Sequence, residues 1–337
     1  MEIVAWMALK YSPKRFLAGI VAVGLISTAA YTHAQPPAAS QKIGNLKITI
    51  LSTMLVSTRD GIGEWGFSAL VEADGHRILV DTGGAPDTVL KNAKTLGIDL
   101  STVRDVILTH NHDDHTSGLL TLRRSLSKSN PEAISRAYEA PGIFWSRPAA
   151  QGHEDNSMIA IRPAYEATGG RFIEVPGWLE IFPGAWLTGP IARNYPEKNW
   201  SDLGKVMTPA GLQEDTIPED LSLVLNTTRG LVVLTGCGHA GVVNILTQAT
   251  SKFPGQLVYG LVGGIHLYRQ TDTQLDWTSD KLKGFGVENV LGAHCTGIEA
   301  VYHLRQRMEL SRNSALVGSV GAQFTLKDGI VPGELER

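Results

Sequence analysis

Thr109-His110-Asn111-His112-Asp113-Asp114-His115-Thr116-Ser117-Gly118 is the stretch on which the reading of this chain turns. Three histidines and two aspartates fall within six residues, directly after the apolar run Val103 to Leu108. In an extended segment residues i and i+2 point the same way, so His110 and His112 can reach one ion together. Asp114 and His115, at the turn into the next helix, can reach a second ion beside it. Neutral imidazole and carboxylate suit Zn²⁺, Fe or Mn²⁺. A solvated polar turn is the bland alternative, and clustered histidines fed by an apolar strand argue against it.

Working outward, Lys47 to Leu55 reads as a strand. Gly66 to Glu72 and Arg77 to Val80 read as a hairpin closed by Asp74-Gly75. Pro86 to Leu96 reads as a helix, with Asp87 near its start and Gly97 just past its end. Ser117 to Leu126 reads as the next helix. From Ser127 to about Gly170 the pattern is irregular, and an insertion or lid over about 127–170 is expected. Leu221 to Asn226 and Gly230 to Leu234 form a second hairpin. Helix Val242 to Thr250, strand Leu257 to Val262, helix Thr273 to Lys283, strand Val287 to Leu291 and helix Ile298 to Leu310 follow, with a final strand pair near Leu316 to Leu326. Hairpins alternate with β-α units in each half, which predicts packed sheets with helices outside, as one domain over 46–330.

Three more motifs sit where a strand gives way to a loop or helix, the place where sheet folds gather ligands. They are Thr235-Gly236-Cys237-Gly238-His239-Ala240-Gly241, Gly263-Gly264-Ile265-His266-Leu267 and His294-Cys295-Thr296-Gly297. His110-x-His112-x-Asp114-His115 resembles the HxHxDH signature of the metallo-β-lactamase superfamily, and Asp81-Thr82-Gly83 resembles its upstream Asp-Thr-Gly turn. The resemblance runs from about Lys47 to Leu326. It implies an α+β fold, a four-layer αββα sandwich, with a one- or two-metal, usually hydrolytic site at one edge of the sheets. The three later motifs are similar to those of the subgroup of dihydropterin-aminobenzene-phosphate synthase-like metal-dependent hydrolases.

The departures shape the expected ligand set. Many two-metal members take a third histidine from a Gly-His-Thr stretch, and Phe182 to Thr188 here holds no histidine. Where members usually place a bridging Asp, this chain has Cys237. The resemblance therefore implies that His239 completes the first site with His110 and His112, and that His294 completes the second with Asp114 and His115. Cys237 bridges the ions, lines the site, is simply a small buried side chain, or pairs with Cys295 in a disulfide. His266 is expected as a ligand or a substrate donor. Asp81 is expected to orient a ligand, because a metal-bound histidine needs a partner for its other N–H. Cys295 and Thr296 are expected to touch the substrate or to support residues that do, with the N–H groups at Thr296 and Gly297 placed to receive an anionic group. His76, His153 and His303 read as surface residues. Trp145, Trp178, Trp186 and Trp200 read as pocket or core in equal measure.

Composition sets the outer limits. The chain has 337 residues, 43% hydrophobic and 19% charged, with 36 Gly, 16 Pro and a net charge of −3. That excludes disordered, collagen-like and coiled-coil classes, and no basic face suggests a nucleic-acid partner. Two cysteines are too few for a disulfide framework. Residues 1–34 read as an export signal: Lys10, Lys14 and Arg15 precede the uncharged run Phe16 to Ala30, and Ala34 offers a cleavage position. The run is short for a membrane span, so a cleaved leader is expected over an uncleaved anchor. A linker over 35–45 follows, and a periplasmic or secreted location with no stable membrane insertion is expected. An ion held by His and Asp makes water acidic enough to act as a nucleophile at neutral pH, with Asp114 orienting it or accepting its proton. The function expected is a metal-dependent, zinc-class hydrolase of a small ester, lactone or phosphoester. A pterin-related synthase is the alternative, and a non-catalytic metal- or ligand-binding protein is a further one.

Overall fold

In the computed structural model, which describes residues 41–57, 60–149, 152–201 and 203–335, Leu46–Ser52 forms the first strand, β1. Its alternate side chains part to opposite faces. Ile48 and Ile50 enter one core and Leu51 enters another. The chain continues with β2 (Ser68–Ala73), β3 (His76–Val80), α1 (Thr88–Thr95), β4 (Asp105–Ile107), the single turn α2 (Asp113–Thr116), α3 (Leu119–Leu126) and β5 (Arg136–Glu139). Then come α4 (Met158–Glu166), β6 (Arg171–Glu174), β7 (Leu179–Phe182), β8 (Ala185–Leu187), β9 (Lys205–Thr208), β10 (Gly211–Glu214), β11 (Leu223–Thr227) and β12 (Gly230–Thr235). The last elements are α5 (Val242–Lys252), β13 (Val258–Gly263), α6 (Asp272–Gly284), β14 (Asn289–Gly292), α7 (Ile298–Arg307), β15 (Ala315–Val317), β16 (Gln323–Thr325) and β17 (Gly329–Val331).

Two large sheets result. One runs β17-β16-β1-β2-β3-β4-β5-β6 and the other β15-β14-β13-β12-β11-β8-β7, with β9 and β10 as a separate hairpin. The same alternation seen in β1 divides β12, where Val232 and Leu234 face the first sheet and Leu231 and Val233 face helices. The core between the sheets also takes Val71, Leu225 and Val262. A second core lies under α5, α6 and α7, and a third under α1, α3 and α4. The layers are therefore helix, sheet, sheet, helix, as expected from the sequence. Phe324 on β16 is fully buried in the central core. It fits there because residue 260 is glycine: a Cβ on Gly260 would stand 2.6 Å from the Phe324 ring.

Within each sheet a run of strands is parallel: β3 through β6 in one, and β12 through β15 in the other. Parallel neighbours end on the same side, so the loops after β3, β4, β12, β13 and β14 gather at common edges. Those loops carry Asp81, the His110–His115 cluster, Cys237 and His239, His266, and His294 with Cys295.

The structure corrects two expectations. The stretch 127–170 is not simply an insertion: β5 pairs between β4 and β6, and α4 packs beneath the first sheet. Two features hid them. Arg136 opens β5 with a charge that is matched in the fold by both Asp105 carboxylate oxygens, at 2.5 and 2.6 Å. Pro163 sits inside α4, where a proline normally argues against helix. The final strands also do not pair with each other, since β15 joins β14 while β16 joins β1 and β17. The expected leader lies outside the described residues. Among the described residues no helix is long and apolar enough to cross a membrane.

Two stability measurements follow from this packing. Phe324→Ala is expected to cost about 3–5 kcal/mol in urea unfolding, as a large aromatic removed from a closed slot; a loss below about 1 kcal/mol would show that the slot collapses freely. Glu139 is buried on β5, and burial together with Glu174 pushes its carboxyl up from 4.5 to about 8. The folded state holds that proton while the unfolded chain releases it, so this group's contribution falls as pH rises from about 4.5 to about 8. Glu139→Gln removes the dependence. The variant should gain thermal stability over the parent at pH 8 and not at pH 4.5, and an equal difference at both would contradict the assignment.

Candidate metal centre

The strand-end loops bring their chemistry-bearing side chains into one place. His110, His112 and His239 offer ring nitrogens within 4.8 Å of one another. Asp114, His115 and His294 form a second group within the same limit, and His110, His115 and Cys237 a third that joins the two. Ring centroids of His110 stand 4.6 Å from His112, 4.7 Å from His239 and 4.2 Å from His115. Each of these side chains except His112 and Asp114 is essentially fully buried.

The histidines are held from behind. Asp81 Oδ1 accepts the Thr109 backbone N–H at 2.8 Å. Asp81 Oδ2 accepts from the Thr109 hydroxyl at 2.8 Å and lies 2.7 Å from His115 Nδ1. With its own proton given to Asp81, the Thr109 Oγ1 accepts from His110 Nδ1 at 3.0 Å. His239 Nδ1 is bonded to the Asn199 carbonyl. One nitrogen of the His110, His115 and His239 rings is thus fixed, which orients each ring and turns its Nε2 forward. His110 Nε2 and His239 Nε2 are buried with no hydrogen-bond partner, and His115 Nε2 lies 3.1 Å from Cys237 Sγ. Buried imidazole nitrogens without partners are costly unless something occupies the space between them. A divalent cation with nitrogen ligands fits this donor set.

Electrostatics agree with that fit. Burial holds His110 and His239 well below the usual imidazole range and brings His112 down to about 4. All three are neutral at pH 7, the form that ligates a metal. Burial opposes the charged form of His115 too, but the Asp81 and Asp114 carboxylates outweigh it and raise the group to about 9. An ion bound there must displace that proton. Burial alone would raise Asp114, yet the His115 and His294 rings beside it hold its carboxyl well below the ordinary range, with Oδ2 3.2 Å from His294 Nε2.

Close packing makes the arrangement intolerant. A Cβ on Gly236 would stand 2.1 Å from Thr109 Oγ1 and 2.6 Å from Asp81 Oδ2, so only glycine leaves room for the Asp81–Thr109 pair. Nearby, His266 and Cys295 form a further group with Cys237, again within 4.8 Å. Thr296 departs from expectation: its N–H already donates to the Ala293 carbonyl, and its hydroxyl donates to Gly263 O and accepts the Ile265 N–H. It fastens the 294–296 turn to the end of β13 and has no free N–H for a substrate.

The centre opens to a cleft of about 400 Å³ lined by His112, His239, His266, Asn199, Trp200 and Tyr268. An adjoining cleft of about 830 Å³ reaches Trp65, Asp114 and Arg147. Of the four tryptophans left open by the sequence, Trp200 lines the cleft, and Trp178 and Trp186 pack against the core under α5. His303 pairs with Asp276 at 2.9 Å, and His76 stacks on Phe182 with centroids 4.5 Å apart. Sequence reasoning missed Thr109, Asn199 and Trp65. Thr109 acts through its hydroxyl, a signal present in the residue next to His110, whereas Asn199 acts through a backbone carbonyl, which leaves no signal in residue type. Trp65 stands edge-on to His294, centroids 4.9 Å apart, from a loop far away in the chain. Also unforeseen is the buried set in which Arg147 binds Asp215 and both oxygens of Glu219, while Glu219 accepts the Asn111 N–H.

Because Asp81 orients two rings, Asp81→Asn is expected to weaken metal binding about 10–100-fold in a chelator-competition titration. Unchanged affinity would contradict the orienting role.

Comparison with known proteins agrees with this geometry. The profile of the Metallo-beta-lactamase superfamily matches residues 66–252. The chain is 27% identical over 274 residues to a protein of Methanocaldococcus jannaschii named 7,8-dihydropterin-6-methyl-4-(beta-D-ribofuranosyl)-aminobenzene-5'-phosphate synthase, covering 77% of this chain and 90% of that one. It is 25% identical over 261 residues to an uncharacterized protein of the same organism, covering 76% and 91%. Among solved structures it resembles Tm1679, described as a metal-dependent hydrolase of the beta-lactamase superfamily. The TM-score there is 0.67 and the identity 26%, over 83% of this chain and 98% of that one. The fold alone is shared with YhfI of Bacillus subtilis, at a TM-score of 0.52 and 12% identity over 83% and 99%. The strand-end histidines and Asp114 thus stand in the frame of a known group, and the chain belongs to the metallo-beta-lactamase superfamily.

Proposed function

We propose that this protein is an exported metal-dependent hydrolase acting on a small ester, lactone or phosphoester, with zinc as its metal, one or two ions per chain. The observation that carries the reading is the convergence of buried, unpartnered His110 and His239 Nε2 atoms beside His112, next to the Asp114, His115 and His294 group. His110, His112 and His239 would hold the first ion, and Asp114, His115 and His294 a second. When bound, such an ion supplies a Lewis acid and an acidified water.

The chain's own residues do the rest. Asp114, kept ionised by the rings beside it, would accept a hydrogen bond from an attacking water and orient it. His266 lines the cleft within reach of a substrate that touches His112 and His239. A cleft of about 400 Å³ suits a small molecule and not a polymer. The buried Arg147–Glu219 pair steadies the Asn111 backbone between the two ligating histidines.

A second reading is favoured by the 27% identity to the methanogen synthase across 90% of its length. In that reading the same centre serves bond formation on a pterin or aminobenzene phosphate. Export argues for the hydrolase, because pterin precursors are made in the cytoplasm, and the charged run before Phe16 to Ala30 supports export. Fractionation of cells carrying the full chain decides that point: protein in the cytoplasm would overturn the exported hydrolase.

The activity itself is tested by elemental analysis together with a panel of esters, lactones and phosphoesters. The expected result is stoichiometric zinc and a turnover that disappears with the metal in His110→Ala and His294→Ala. Full activity in metal-free protein would remove the proposal.

A further inference from the structure

Cys237, His266 and Cys295 sit at one flank of the histidine-rich centre, and the hydrolytic reading gives them no common task. They come from three different strand ends, after β12, β13 and β14. Both cysteines are free thiols and buried. One donor atom from each of the three residues lies within 4.8 Å of the other two. Chain distance makes this convergence a product of the fold: 29 residues separate Cys237 from His266, and 29 more separate His266 from Cys295.

The surroundings hold the three donors in place. His266 is a non-glycine residue at φ 51°, an unfavourable backbone conformation kept only where neighbours enforce it. Its Nδ1 is buried and has no hydrogen-bond partner. Cys295 makes a long contact, 3.8 Å, to the Cys237 carbonyl. A Cβ on Gly264 would come within 2.9 Å of the Cys295 sulfur, so the glycine pair at the end of β13 leaves room for that side chain. Two thiols and an imidazole are also good ligands for a borderline-soft cation.

We infer that Cys237, His266 and Cys295 form a thiolate-rich site for a divalent cation of the Zn²⁺ class, distinct from the two histidine groups and joined to them through Cys237. Binding replaces the two thiol protons, which pass to solvent, by the ion, and leaves the oxidation state of every atom unchanged. Two sulfurs and one nitrogen make three protein ligands, which leaves one position of a tetrahedral ion open. His266 lines the cleft of about 400 Å³ together with His112 and His239. Cys237 Sγ also lies 3.1 Å from His115 Nε2, so an ion at the cysteine site bears on the second histidine group through one shared sulfur.

The inference stands apart from the hydrolytic reading and is tested without any substrate. Reduced, metal-free full-length protein is titrated with Co²⁺, and the near-ultraviolet thiolate-to-cobalt charge-transfer band is followed. The parent should show a band of two-thiolate strength. Cys295→Ser should lose half of it or more, and His266→Gln should weaken Co²⁺ binding at that band at least tenfold. His110→Ala should keep the band while losing cobalt from the histidine group. Circular dichroism of each variant guards against unfolding, and His266→Gln serves if Cys295→Ser does not fold. A parent without the band would overturn the inference. So would a band that Cys295→Ser and His266→Gln leave intact, because Cys237 would then bind only with His110 and His115.

Discussion

The carboxylate of Asp81 is the point on which the centre rests. It fixes His115 directly and His110 through the Thr109 hydroxyl, and it receives the Thr109 backbone N–H as well. A buried carboxylate with these partners has its acceptor positions filled, which is the condition for keeping it in an interior. Its own backbone is at φ 53°, so the turn after β3 is held in an unfavourable conformation to aim it. His266 and His294 share that left-handed backbone, at 51° and 48°. Three loops thus carry local strain that the surrounding layers hold in place.

The sheets explain why those layers can do so. Strands β3 and β4 on one side, and β12, β13 and β14 on the other, are parallel runs whose flanks are filled by helices. Their interior residues Ile78, Val80, Val232, Leu234 and Val262 meet in the central core. The loops stand on strands that cannot shift without opening that core. Hydrophobic packing thus places the loops, and the hydrogen bonds to Asp81 and Thr109 place the ring nitrogens by choosing the rotation of each ring. The same logic explains Gly236, whose missing side chain is the space in which the Asp81–Thr109 pair meets.

Much of this was legible from residue type and spacing. The strand runs Lys47 to Leu55 and Gly230 to Leu234, the Asp74-Gly75 turn, and the helix after Gly241 all follow local rules. The gathering of these side chains was legible as well, because histidine, cysteine and aspartate cluster at strand ends in the sequence itself. What escaped depends on partners that local sequence does not contain. Arg136 begins a central strand because Asp105 on the neighbouring strand neutralises it. α4 tolerates Pro163 because Met158 and Tyr165 anchor its buried face. Asn199 orients His239 through a backbone carbonyl, from a loop 40 residues away. Thr296, read as a substrate contact, turned out to be tied to Ala293 and Gly263. The grouping of Cys237 with both His115 and the His266–Cys295 pair is a property of three dimensions, invisible in any one motif.

The account depends on ring nitrogens that share one centre. Anomalous diffraction from crystals of the purified protein, collected on both sides of the zinc absorption edge, addresses that directly. The account predicts a peak within about 2.0–2.1 Å of His110 Nε2, His239 Nε2 and one ring nitrogen of His112. Well-ordered crystals grown with zinc in the buffer, in which those three nitrogens show no peak and turn away to other partners, would contradict it.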